Sequence, residues 1–238
     1  MDFERIGLYI DGFDDKLNGG IPEGHVVLVA GESGTMKSSL CFNMLYHNAK
    51  KEGLKGVYIT LEQSRDRLVR HMKGLGLPIE DVEDLVSVVD LAVIRKNLDK
   101  LGQQTWMHIF KMYAKNLRES MAFDVLVLDS LPVLEMLSDM KEPRNELFHF
   151  FEWLRELDIT AFIITEIPHG TEFYAKYGED FLSDGIIHLK MDKVDDVNIQ
   201  RRIRCVKMRD TNHSPNYYTL MFEGGKFQAT RVISDGGM

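Results

Sequence analysis

Lys37 and Ser38 close the run Gly31-Glu-Ser-Gly-Thr-Met-Lys-Ser38, which follows the apolar stretch His25-Val-Val-Leu-Val-Ala30. A lysine and a hydroxyl after a glycine-bearing turn, between an apolar strand and a helix, can hold a phosphate chain. Successive backbone N–H groups in the turn point inward, and the helix that follows adds its positive N-terminal end. In this pattern the lysine reaches the β- and γ-phosphates and the hydroxyl coordinates Mg²⁺. Nucleotide contacts are therefore expected from Gly31, Ser33, Gly34, Thr35, Met36, Lys37, Ser38 and Ser39. Gly31 and Gly34 suit the turn because glycine accepts positive φ and permits close backbone approach. One position departs from G-x-x-x-x-G-K-[ST]: Met36 stands where the second glycine belongs. A side chain at positive φ costs about 1–2 kcal/mol. Several charge-assisted hydrogen bonds to a Mg-nucleotide outweigh that, so the loop is expected to form. A turn preceding a helix by chance would lack the ordered strand, turn, Lys-Ser and helix.

Two acids follow at strand ends. Phe123-Asp-Val-Leu-Val-Leu-Asp-Ser130 is an apolar strand ending in Asp129, the candidate for holding Mg²⁺ through its water shell. Taken alone, such a strand end is common; downstream of a phosphate loop it gains weight. Gly56-Val-Tyr-Ile-Thr-Leu-Glu-Gln63 is a second strand ending in an acid. Ligands of parallel sheets bind beyond the carboxyl ends of the strands. Glu62 there faces the γ-phosphate and can polarise the attacking water; the other reading makes it a helix-capping acid.

These residues need a sheet to present them. The expected strands are Val26–Ala30, Gly56–Thr60, Val86–Asp90, Asp124–Asp129 and Ala161–Thr165, with helices after Lys37, Ser64, Gln103 and Glu142. The runs at 125–128 and 162–164 are apolar throughout, as in parallel strands covered on both faces. The fold class is α/β: a mostly parallel twisted sheet with helices on both faces. From Gly185 onward, strands joined by turns (Gly185–Met191, Gln200–Met208, Tyr217–Phe222, Lys226–Ala229) predict antiparallel pairing at the C-terminal end. The 238 residues suffice for one large domain, 1–238.

Composition narrows the class. The net charge of −8 argues against broad affinity for nucleic acid, which needs a basic footprint. No apolar run approaches 18 residues, so no membrane span is expected. The first six residues lack the basic start and apolar core of a signal peptide, and the chain reads as cytoplasmic. Cys41 and Cys205 read as buried free thiols. His108, His149 and His188 show no metal spacing. The segments 106–112 and 148–154 have the spacing of core or subunit-interface helices. Arg201-Arg-Ile-Arg204 reads as a solvated strand, with Arg202 and Arg204 on one face and Arg201 on the other.

Several separated motifs now point one way. Gly12-Phe-Asp-Asp-Lys-Leu-Asn-Gly-Gly-Ile-Pro-Glu-Gly24 before the phosphate loop, Leu61-Glu-Gln-Ser-Arg65, Thr165-Glu166, Tyr177–Ile187 and Val206-Lys-Met-Arg-Asp-Thr-Asn-His213 resemble the KaiC-like branch of the RecA superfamily over nearly the whole chain. The likeness is greatest to its single-domain archaeal ATPases, which also resemble recombinase paralogues. The resemblance implies a RecA-like core that binds ATP and Mg²⁺ at the subunit interfaces of a ring-like homo-oligomer, the hexamer being one such ring. It implies slow hydrolysis, with Lys37 and Glu62 catalytic and Ser38 and Asp129 on the metal. Lys207, Arg209 and His213 match residues that reach the neighbouring subunit's nucleotide, where cations stabilise γ-phosphate charge. Gln63 replaces the second of two catalytic acids, and Asp210 stands where the family often has glycine.

Two other functions fit this resemblance. A nucleotide-gated signalling or scaffold module would bind ATP, assemble, engage an unidentified protein partner and barely hydrolyse; Met36 and Gln63 speak for it. A recombinase paralogue would act on single-stranded DNA, with the segment His169–Asp180 as a candidate DNA or partner loop; the acidic net charge speaks against it.

Overall fold

The computed structural model describes residues 4–91, 105–167 and 173–232. Its strands are β1 (Arg5–Ile6), β2 (Ile10–Asp11), β3 (Ile21–Pro22), β4 (Val26–Gly31), β5 (Gly56–Thr60), β6 (Val86–Asp90), β7 (Val125–Asp129), β8 (Thr160–Glu166), β9 (Gly185–Lys193), β10 (Ile199–Met208), β11 (Tyr218–Glu223) and β12 (Lys226–Arg231). Its α-helices are α1 (Lys37–Glu52), α2 (Arg65–Gly74), α3 (Trp106–Met121), α4 (Leu131–Ser138), α5 (Pro143–Glu156) and the single turn α6 (Glu179–Leu182). Among the described residues, one sheet runs β2-β12-β11-β10-β9-β4-β8-β7-β5-β6 and a small ribbon pairs β1 with β3.

From β9 to β6 the neighbours are parallel, and β9 through β12 pair antiparallel. The sequence expectation of a parallel core ending in antiparallel strands is met. The physical reason is visible in β4, where all six residues are buried. Val27 and Val29 enter the core beneath α1 and α2, while Val26, Leu28 and Ala30 enter the core beneath α3, α4 and α5. A strand covered on both faces has no polar side to show.

The apolar helix segments fill these cores. Phe110, Phe150, Phe151 and Leu154 are fully buried on one face of the sheet. Cys41 and Cys205 are buried free thiols in the other core. His108 and His149 are exposed, and no cluster of metal-ligating side chains occurs among the described residues. No helix among them is long and apolar enough to cross a membrane. Of the segment His169–Asp180, residues 169–172 lie outside the described residues.

The basic cluster departs from its reading. Arg202 and Arg204 share one face, but Arg202 is 5% exposed and donates to Asp192 (3.2 Å) and Thr219. Arg204 stacks on Tyr217 and bonds Tyr174. The Arg202 guanidinium is thus satisfied by polar groups of the flanking strands, while that of Arg204 packs on an aromatic ring.

Candidate functional site

The loop between β4 and α1 leaves the sheet where successive connections diverge. The chain runs from β4 to β5 on one side, while β8 continues to β9 on the other. A Cβ on Gly31 would meet Leu189 O at 2.4 Å, so the neighbouring strand admits only glycine here. Gly34 has φ +80°. Met36 takes φ +71° and ψ +28° at the N-cap of α1, the left-handed geometry expected of a glycine. Its half-buried side chain packs against the core beneath α1.

Lys37 is 8% exposed and donates from Nζ to the carbonyls of Gly31 and Glu32, both at 2.8 Å. Burial pulls its pKa down, against the opposing pull of Glu166, Asp129 and Glu62. Asp129 is 3% exposed and accepts from Tyr58 Oη at 2.5 Å and from the Ser38 hydroxyl. Burial raises its pKa although both donors oppose the shift. Thr60 of β5 pairs with Asp129 of β7, so the chain emerging after each strand meets the other. Glu62 accepts there from Ser130 Oγ. Gln63 is pinned through its backbone, with its N–H 3.2 Å from Thr60 Oγ1.

These groups share one cavity of about 560 Å³, lined by Ser33, Gly34, Met36, Lys37, Ser38, Ser39, Glu62 and Asp129 among others. Of the predicted loop contacts, Gly31 and Thr35 are buried and do not line it, Thr35 Oγ1 donating to Glu32 O at 2.7 Å. Of the further lining residues, three with ionisable side chains escaped the sequence reading as site residues. Glu166 ends β8 opposite Gly31, and its place at a carboxyl strand end was the available signal. Arg201 reaches across from β10 to Gly34 O at 3.3 Å, and His71 of α2 lies 3.4 Å from Ser39 Oγ.

Lys207, Arg209 and His213 stand elsewhere. Gly31 pairs with Leu189 and Leu189 with Ile203. Lys207 is four residues further along β10, roughly 13 Å toward the amino ends of the parallel strands. Its Nζ donates to Asp180 O (3.0 Å) and Ser183 O (2.6 Å). Arg209 is paired with Asp184 at 2.6 Å, and His213 Nδ1 is buried without a hydrogen-bond partner. Within one chain these three do not meet the phosphate loop.

A cavity of nucleotide size, a glycine cradle, a lysine, a helix N-terminus and a hydroxyl–carboxylate pair (Ser38 and Asp129) form a donor set that fits a Mg-nucleoside triphosphate. The family described as "ATPase: KaiC" matches residues 6–227. The chain belongs to the KaiC ATPase family. Its fold is accordingly the RecA-like core, and the family supports ATP binding and ATPase activity in general. The circadian clock protein KaiC2 of Synechocystis is 29% identical over 229 residues, covering 94% of this chain and 40% of that protein. The circadian clock oscillator protein KaiC of Nostoc is 27% identical over 218 residues, covering 90% and 42%. The chain thus spans about two fifths of the length of these curated relatives. A crystal structure of a KaiC-like protein from Pyrococcus horikoshii superposes with a TM-score of 0.83 at 26% identity, covering 97% of this chain and all of that one.

Proposed function

We propose that this chain is a cytoplasmic, single-domain ATPase that hydrolyses Mg-ATP slowly as one subunit of a ring-like homo-oligomer. The observation that carries the reading is the convergence of Lys37, Ser38, Asp129 and Glu62 on one cavity. The loop N–H groups and the α1 N-terminus bind the phosphates, and Lys37 leaves its two carbonyls to reach the γ-phosphate. Ser38 and Asp129 would hold Mg²⁺, which supplies charge neutralisation on the phosphate oxygens when bound. Glu62 orients and deprotonates the attacking water. Gln63 offers no second carboxylate, which accounts for slow turnover.

Lys207, Arg209 and His213 complete the site in the neighbouring copy. The position of Lys207 and Arg209 at the opposite end of the sheet supports action in trans, where cations offset charge developing on the γ-phosphate. The runner-up, a nucleotide-gated scaffold, rests on the backbone-pinned Gln63 and the single carboxylate Glu62. The internal use of Arg202 and Arg204 gives single-stranded DNA no support.

The test is phosphate release from purified protein with Mg-ATP, alongside solution mass with and without nucleotide. Turnover confined to an assembled species supports the ring ATPase. Assembly with bound ATP and no phosphate release replaces it with the scaffold.

A further inference from the structure

Thr60 and Asp129 are paired neighbours, and Leu61 N–H donates to Asp129 O at 2.7 Å. Glu62 and Ser130 therefore leave the sheet side by side. Ser130 stands at the N-cap of α4, where a serine hydroxyl ordinarily accepts from the N–H two or three residues on. Two residues on is Pro132, which has no N–H, and the Ser130 side chain makes no capping bond. Its hydroxyl donates instead to Glu62 Oε1.

The two partners differ in freedom. Ser130 is 1% exposed and held by packing, whereas Glu62 is exposed in the cavity wall. An exposed glutamate samples several rotamers, and fixing them costs entropy. A bond at Oε1 confines the carboxylate while leaving Oε2 available to a water. Gln63 places no second carboxylate at this corner to share the task.

We propose that Ser130 is the positioning residue for Glu62, holding its carboxylate toward the phosphate end of the cavity; this rests on the ATPase reading above. The experiment compares phosphate release and Mg-ATP affinity for the wild type, Ser130→Ala, Ser130→Thr, Glu62→Gln and the double variant Glu62→Gln/Ser130→Ala. Loss of positioning lowers kcat of Ser130→Ala by about 10- to 100-fold, leaves the Kd for Mg-ATP within about twofold, and is largely restored by Ser130→Thr. In the Glu62→Gln background, Ser130→Ala has little further effect, because both changes remove one function. Where the alanine variant melts too low to assay, Ser130→Cys, similar in size and a weak donor, carries the same expectation. Unchanged kcat overturns the inference. So does a parallel loss of nucleotide affinity, or a full additional loss in the Glu62→Gln background. Wild-type protein that binds ATP and releases no phosphate overturns the ATPase reading, and the inference with it. Wild-type turnover indifferent to Ser130 overturns the inference alone.

Discussion

Lys37 Nζ lies 2.8 Å from the carbonyl oxygen of Gly31, the residue that opens the same loop. The ammonium is buried among backbone acceptors and faces Glu166, Asp129 and Glu62. Its role in the nucleotide-free fold is thus replaceable, while its role toward a triphosphate is not. Lys37→Ala is expected to weaken Mg-ATP binding at least about tenfold, through loss of a charge-assisted contact. The melting temperature without nucleotide should move by only a few degrees. Titration with a fluorescent ATP analogue and a thermal melt check both, and an unchanged Kd would sink the assignment.

Met36 at φ +71° tolerates its strain because the side chain is unbranched at Cβ. Met36→Val puts a β-branched residue into left-handed backbone and adds about 1–2 kcal/mol of strain. For a chain of this size that lowers the melting temperature by roughly 3–6 °C. Met36→Gly should stay nearer the wild type, since relief of strain opposes loss of packing beneath α1. A valine variant melting at or above the wild type contradicts the strain argument.

Asp184 binds two arginines and one strand terminus. Its Oδ2 accepts from Val26 N–H at 3.0 Å and Arg155 Nε at 3.1 Å, and its Oδ1 meets Arg209 at 2.6 Å. Burial pushes its pKa up, but the Val26 N–H and Arg155 outweigh burial and hold it below the usual value. A depressed pKa stabilises the fold above the unfolded value, near 3.8, and that stability is lost as pH falls below it. Removing the carboxylate takes the acceptor from the Val26 N–H and from Arg155 and Arg209, whose guanidinium groups are partly in solvent, at about 1–3 kcal/mol, so Asp184→Ala should lower the melting temperature by roughly 2–10 °C at pH 7. The difference between the two proteins should shrink below about pH 4. A constant difference from pH 7 to pH 3 removes Asp184 as its source.

Glu135 of α4 shows the opposite sign. Burial, then its hydrogen bond with the buried Glu179, raises its pKa to about 8. The folded chain there binds a proton that the unfolded chain releases near 4.5, so stability falls as pH rises from about 4.5 to about 8. Glu135→Gln mimics the protonated acid. It should raise the melting temperature at pH 8 and flatten its pH dependence across that window. A variant with the wild-type slope removes Glu135 as the source of that pH dependence.

Some of this was legible along the chain. Strands Gly56–Thr60 and Val86–Asp90 keep the bounds read from their apolar runs. The helix α4 is absent from the sequence expectation; it is short, eight residues, and carries Pro132 in its first turn, where proline is accommodated. Arg202 was read as solvated because its charge says nothing of Asp192 and Thr219, supplied by the two flanking strands. Glu166, Arg201 and His71 reach the cavity from β8, β10 and α2, each far from the phosphate loop in sequence.

By itself the sequence determined the order of strand, phosphate loop and helix, the acids at strand ends, the two-sided burial of the parallel strands and the family motifs. All of these are local patterns: spacing, periodicity and turn chemistry repeat within a few residues. Tertiary structure alone decided that β7 lies beside β5, so that Asp129 meets Thr60 and Ser130 reaches Glu62. It also decided that Lys207 and Arg209 lie at the far end of the sheet from Lys37. Buried parallel strands are uniformly apolar and can pair with any similar neighbour, so their order is chosen by the packing of the whole sheet and its helices.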